Sequence, residues 1–342
     1  MRQGEELDLE SLATYLRAHF SNVGIEPAQA AVQVEQFGGG HSNLTYLVRF
    51  GSEEFVLRRP PVGPVAPTAH DMPREFRLLE TIHPHFPLAP KPVLLCEDVT
   101  VIGVPFYLME LRRGLIVRDR VPQEIGDDAK KRRRVSLAVI DTLASLHAVD
   151  IFGTNVVRIG KPEGFVSRQV DGWSRRWQRS RTSEVPEMDH LSQWLADNMP
   201  DEDSATASIV HNDFKLDNIM LSPIEPWRVV AVLDWEMSTV GDPLIDLGLL
   251  LCYWTLKGTD SLRAVTTGAG WLNRSEMLAR YQQQTGRDVT KILFYETFAR
   301  FKVAVIIQQI YFRFARGQTL DQRFKNFDQL VLQLARDASA AI

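Results

Sequence analysis

A chain of 342 residues is long enough for two domains or lobes, each able to bury a core without disulfides or metals. Lys plus Arg number 39 and Asp plus Glu 43, a formal net charge of −4; with 44% hydrophobic and 24% charged residues, this excludes wholesale binding to nucleic-acid phosphates and excludes disorder. No uncharged apolar stretch reaches the ~18–20 residues that span a bilayer, the first residues lack the apolar core of a signal peptide, and Cys96 and Cys252 stand in no metal-ligand spacing, so the chain is expected in the cytoplasm with neither a disulfide framework nor a cysteine zinc site.

Leu9, Leu12, Leu16 and Phe20 recur at three- and four-residue spacing behind Asp8, which predicts a capped first helix. Val32 and Val34 alternate with polar residues, and Leu44 to Phe50 and Phe55 to Leu57 read as two further strands around the turn Gly51-Ser52. Gly38-Gly39-Gly40 lies between the first two strands. A Pro-rich loop over 60–70 precedes a helix over 75–82, and residues 93–96 and 101–111 read as a hairpin. Residues 112–128 are charged and loop-like. A long helix starts at Ala129, with Val135, Val139, Leu143 and Leu146 on one face; its basic run, Lys130 to Arg134, reads as a solvated face. Beyond residue 240 the pattern is mostly helical. No internal repeat is present. A β-rich third before a helical two-thirds places a boundary after residue 111, with lobes of 1–111 and 112–342.

The chemistry concentrates in His211-Asn212-Asp213-Phe214-Lys215-Leu216-Asp217-Asn218, followed sixteen residues later by Asp234-Trp235-Glu236 at the end of an apolar run. An Asp, an Asn five residues on, and an Asp closing a strand are the base and metal apparatus of phosphoryl transfer. A carboxylate can orient an acceptor hydroxyl and take its proton. An amide oxygen and a second carboxylate suit magnesium, a hard cation that prefers oxygen. His211 is expected to be structural.

Taken together, these motifs resemble the aminoglycoside phosphotransferase and choline kinase-like family, and most closely the kinase-like domains found alone in bacteria or fused to acyl-CoA dehydrogenases. The resemblance covers roughly residues 25–330. It implies an α+β, protein kinase-like two-lobe fold with a β-rich N-lobe and a mostly helical C-lobe, ATP and Mg2+ as cofactors, and a phosphotransferase with an alcohol group as acceptor. Carried over by residue, Asp213 resembles the catalytic base, and Asn218 and Asp234 the magnesium ligands. Gly39, Gly40, Ser42 and Asn43 fall in the phosphate-covering loop. Val56 matches the adenine-packing residue, Arg58 the phosphate-pairing cation and Glu75 the helix carboxylate that pairs with it. Met109, Glu110 and Leu111 fall in the hinge. Asp242 and Asp246 are expected to brace the catalytic loop, and His147 the end of its helix. Two positions depart from the family pattern: Arg58 stands where a Lys is usual, and Arg is not interchangeable with Lys; Asn212 stands where Gly is common, and Asn tolerates left-handed backbone.

Acceptor choice is expected in residues 165–182, where Arg168, Arg175, Arg176, Arg179 and Arg181 face one acidic residue, Asp171, and Trp173 and Trp177 lie four apart. Arg168, Trp173, Arg176 and Trp177 are the candidate substrate residues; the competing reading is a solvated helix whose tryptophans dock on the lobe. Arginines beside aromatic surface suit an anion with an apolar part. By analogy with the acyl-CoA dehydrogenase fusions, the acceptor is a hydroxyacyl-CoA or hydroxy acid. Arg300, Lys302, Arg313 and Arg316 are expected near the same site, and Phe294, Phe298, Val305 and Phe312 in the core. The expected partner is a small-molecule acceptor, with no nucleic acid and no membrane; oligomeric state stays open. The alternatives are an aminoglycoside phosphotransferase of antibiotic resistance and a nucleotide-binding pseudokinase module.

Overall fold

The computed structural model describes residues 2, 4–25, 31–38, 43–61, 70–201, 206–256, 264–319 and 321–342. Two units emerge: Met1–Arg113 with Val230–Glu236, and Gly114–Val229 with Met237–Ile342. The expected boundary lay after residue 111; the first unit runs two residues further and takes back seven residues around Asp234.

In the first unit, α1 (Leu9–His19) begins at Asp8, whose carboxylate accepts from the N–H groups of Glu10 and Ser11. Five strands follow: β1 (Val32–Gln36), β2 (Leu44–Phe50), β3 (Glu53–Arg59), β4 (Pro92–Cys96) and β5 (Phe106–Glu110). They form an antiparallel sheet in the order β1-β2-β3-β5-β4. The period of two sorts their side chains between faces. Tyr46, Val48, Phe50, Phe55, Leu57, Leu94 and Leu108 bury against Leu12 and Leu16 of α1 and Phe20 just after it. Val56, Arg58, Tyr107 and Met109 therefore point to the other face, with Val56 opposite Met109 and Arg58 opposite Tyr107. There α2 (Met72–Ile82) packs, its Phe76 ring edge-on to Tyr107 at 6.0 Å. This helix starts one turn earlier than its expected range because Asp71 caps it, accepting from Arg74 N–H, and Pro73 sits in its first turn.

The second unit is mainly helical. A short strand, β6 (Leu115–Ile116), pairs with β8 (Ile219–Leu221) within the stretch expected as loop. Then come α3 (Ala129–His147), α4 (Phe165–Ser180) and α5 (Pro186–Asp197). β7 (Ser208–Val210) and β10 (Thr239–Gly241) form an antiparallel pair, and β9 (Val229–Val232) carries the chain across the unit boundary. The remaining helices are α6 (Leu244–Trp254), α7 (Arg274–Thr285), α8 (Ile292–Ala315) and α9 (Phe327–Ser339). α8 is the axis, packed by α4, α5, α6 and α9. Phe294, Phe298 and Val305 are core as expected, whereas Phe312 is only half-buried, with Arg316 over its ring at 4.2 Å. The basic run on α3 is largely absorbed at the surface: Arg132 donates to the carbonyls of Gly126 and Ala269, Arg133 pairs with Glu276, and Arg134 stacks on Trp227. No helix among the described residues is long and apolar enough to cross a membrane.

Candidate active site

In the first unit the sheet face opposite α1 carries a polar cluster. Arg58 donates to Glu75 at 2.6 Å and to Asp234 at 3.0 Å, and Glu236 lies 3.7 Å from the same guanidinium. Arg59, one residue on, points to the α1 face, where it bonds the Tyr46 hydroxyl and the Glu5 carbonyl. Glu75 and Arg58 are both buried. Burial pushes the Glu75 carboxyl up to about 7 against the pull of Arg58, and the charges of Asp234 and Glu236 add to the push. Asp234 has a left-handed backbone, φ 68°, a strained setting for a residue with a side chain. The segment is fixed by Trp235, which packs edge-on against Phe86 and donates to the Val232 carbonyl at 2.7 Å. Asn43 donates to Glu236 at 2.6 Å, and Arg74 donates to the Glu236 carbonyl at 2.7 Å. Glu236 and Arg74 were not among the sequence candidates; Glu236 stood in the Asp-Trp-Glu motif without a role.

Within the expected hinge, Met109 is buried beside Val56 on that same face. The Glu110 N–H donates to the Lys91 carbonyl at 2.9 Å, and its carboxylate accepts from Arg112 at 2.5 Å, so those groups are taken up within the unit. Leu111 follows directly after the strand. Gly39, Gly40 and Ser42 lie outside the described residues, as do His41 and residues 62–69 of the Pro-rich loop.

In the second unit β7 runs directly into the loop His211–Asn218. Asp246, near the start of α6, accepts the N–H groups of His211 and Asn212 at 2.6 and 2.7 Å. His147 braces Asp246: its Nε2 lies 3.4 Å from that carboxylate and its Nδ1 2.7 Å from the Tyr281 hydroxyl. Asp242 accepts from the Leu244 N–H at the head of α6 and from the Tyr295 hydroxyl. His211 is fully buried and accepts from the Asp213 N–H at 3.3 Å, a structural role as expected. The Asp213 carboxylate is partly exposed, and its Oδ2 accepts from Asn218 Nδ2 at 2.9 Å and Lys215 Nζ at 3.0 Å. Asn218 Nδ2 also donates to the Asp213 carbonyl at 2.9 Å. With its nitrogen bound twice, Asn218 can offer a cation only its amide oxygen. In the first unit Asp234 carries carboxylate oxygens; taken separately, each residue presents the oxygen type of donor that magnesium prefers. Among the described residues no three His, Cys, Asp or Glu side chains are grouped to hold a metal by themselves.

The four candidate substrate residues separate. Trp173 is buried, with Arg176 4.5 Å and Lys302 5.4 Å from its ring. Lys302 donates to the Asn212 carbonyl at 2.6 Å. Arg176, Trp173 and Lys302 thus lead to the residue before Asp213. Arg168 and Trp177 do not join that group. Arg168 folds back onto the carbonyls of Lys161 and Glu163 ahead of α4. Trp177 is 1% exposed, and its indole N–H donates to Asp189 of α5, so it is a packing residue. Arg313 and Arg316 are exposed near the end of α8.

The profile of the phosphotransferase enzyme family matches residues 33–281. The chain belongs to this family. Phosphotransferase membership and the kinase-like α+β fold, both read from the sequence, are borne out. Acyl-CoA dehydrogenase family member 11 of Mus musculus is 38% identical over 320 residues, 91% of this chain and 40% of that protein. The chain therefore spans well under half the length of that curated relative. A crystal structure from Ralstonia eutropha, provisionally assigned to the aminoglycoside phosphotransferases, is 30% identical, covers 98% of both chains and superposes with a TM-score of 0.83. Spectinomycin phosphotransferase in complex with ADP and spectinomycin has a TM-score of 0.62 at 12% identity, covering 99% of this chain and 100% of its own, a likeness of fold.

Proposed function

We propose that this phosphotransferase is an ATP-dependent small-molecule kinase that transfers the γ-phosphate to the hydroxyl of an anionic acceptor, a hydroxyacyl-CoA or hydroxy acid. The observation that carries the reading is Asp213, a partly exposed carboxylate held by Asn218 and Lys215 at the end of a braced loop. Its carboxylate would accept the proton of the acceptor hydroxyl as the oxygen attacks the γ-phosphorus and ADP leaves. Lys215 keeps positive charge beside it. Arg58, fixed by Glu75, is the cation of the nucleotide side, and Val56 and Met109 the apolar surface for adenine. Asn218 and Asp234 would hold magnesium, which supplies charge neutralisation on the phosphate oxygens. The ADP complex of spectinomycin phosphotransferase supports nucleotide use.

Support for an anionic acceptor comes from Arg176, an exposed cation 4.5 Å from the Trp173 ring. A polycationic aminoglycoside would need carboxylates there instead. The name of the acyl-CoA dehydrogenase relative supports an acyl group. Two buried free thiols, Cys96 and Cys252, agree with a cytoplasmic setting.

The test is ADP release from MgATP over hydroxyacyl-CoA esters, hydroxy acids, choline, sugars and aminoglycosides. Release with the first two classes is expected, falling at least a thousandfold in Asp213→Asn while thermal shift with MgATP persists. Release on aminoglycosides alone makes the chain a resistance enzyme. Nucleotide binding with no release on any acceptor makes it a binding module. Full turnover in Asp213→Asn removes the base assignment.

A further inference from the structure

Lys302 stands in the middle of α8, 1% exposed, on a helix whose inward residues are mostly apolar. A buried ammonium is unfavourable unless something polar answers it. The answer is the Asn212 carbonyl, 2.6 Å away and 90 residues earlier in the chain. That carbonyl belongs to the peptide unit joining Asn212 to Asp213, and the N–H of the same unit donates to His211 Nδ1 at 3.3 Å. One peptide earlier, the Asn212 N–H donates to Asp246. Asn212 is thereby held by an anion on α6 at its N–H and by a cation on α8 at its carbonyl. It needs holding, because its φ is 64° and a side chain makes that left-handed setting unfavourable.

We propose that Lys302 is a positioning residue for phosphoryl transfer: its grip on the Asn212 carbonyl keeps the Asn212–Asp213 peptide in its left-handed setting and so aims the Asp213 carboxylate. The role in transfer rests on the reading of Asp213 as the base, but the test of the grip needs no acceptor. The ammonium feels Asp213 and Asp246 on one hand and Lys215 and Arg176 on the other, and the Trp173 ring covers it. Its stem is apolar, so Lys302→Met removes the donor and the charge while keeping most of the packing.

Amide hydrogen exchange on the full chain, read by mass spectrometry, reports the grip directly. Lys302→Met is expected to speed exchange in peptides covering 211–214 at least tenfold, while 208–210 and 239–241 keep their protection. Asn212→Gly lifts the left-handed strain. Added to Lys302→Met, it is expected to restore at least half of the lost protection on a logarithmic scale. Exchange within twofold of the unsubstituted chain overturns the proposal. So does loosening spread evenly along α8 that Asn212→Gly leaves unchanged. Should Lys302→Met alone fail to fold, the double variant is expected to return folded protein, and failure of both overturns the proposal. If the grip is seen while Asp213→Asn retains full turnover, Lys302 sets the loop and only the base assignment falls.

Discussion

Arg58 answers three carboxylates with one guanidinium: Glu75 at 2.6 Å, Asp234 at 3.0 Å and Glu236 at 3.7 Å. The imbalance is why burial succeeds in pushing Glu75 up to about 7. A raised acid binds more protons folded than unfolded, so stability falls as pH rises from the unfolded value of 4.5 towards 7. Removing the cation sharpens this. Arg58→Met leaves buried negative charge uncompensated and should cost about 3–5 kcal/mol at pH 8. The loss should be smaller at pH 5.5, where Glu75 can take a proton, and Glu75→Gln in the same chain should recover part of it. Urea unfolding at the two pH values checks this; a loss independent of pH would mean Glu75 is not the group exposed by the change. Lysine at this position has one ammonium where arginine has a fork that reaches Glu75 and Asp234 together.

At the scale of elements, α6 and α8 touch through Gly248. A Cβ there would sit 2.6 Å from the carbonyl carbon and oxygen of Tyr295. Two residues before it, Asp246 holds the Asn212 N–H of the His211–Asn218 loop; seven after Tyr295, Lys302 holds the Asn212 carbonyl from the other helix. Gly248→Ala should therefore lower stability by about 1–3 kcal/mol despite alanine's better helix propensity, and should slow phosphate transfer as well. Calorimetry beside the ADP-release assay checks both; a raised Tm would show slack between the helices. Much of this framework was legible. The period of two separates Arg58 from Arg59, and the cap Asp8 marked the start of α1. Asp71 and Pro73 carried the same signal for α2, and Met72 stands four residues before Phe76 on its buried face, so the expected start at residue 75 fell one turn late. The arginines of α4 were the hard case. Composition shows charge but not where a long side chain folds, and Arg168 turns back onto backbone carbonyls while Arg176 covers Trp173. Lys302 was placed near the site on its charge alone; its bond to Asn212 joins two segments with no shared local pattern.

For the molecule as a whole, the first unit is discontinuous. Val230–Glu236 belongs to it and brings Trp235 onto Phe86 and Asp234 onto Arg58. A fragment of residues 1–113 lacks these contacts and should not unfold cooperatively by itself. Joining 230–236 to it through a flexible Gly/Ser linker should restore a sigmoidal urea transition. Residues 1–113 contain no tryptophan, so Trp235 would report that transition alone by fluorescence. An equally sharp transition in the short fragment, followed by circular dichroism, would show that the returning segment is dispensable.

The returning segment also sets an order of events during synthesis. Residues 114–229 must be made before it appears. At about 5–20 residues per second, that is a wait of roughly 6–23 s. Until then the nascent chain carries Arg58 and Glu75 on an unfinished sheet face, with the Phe86 side chain lacking Trp235 to cover it. A ribosome that stalls within this interval holds a first unit that has begun to fold but cannot close.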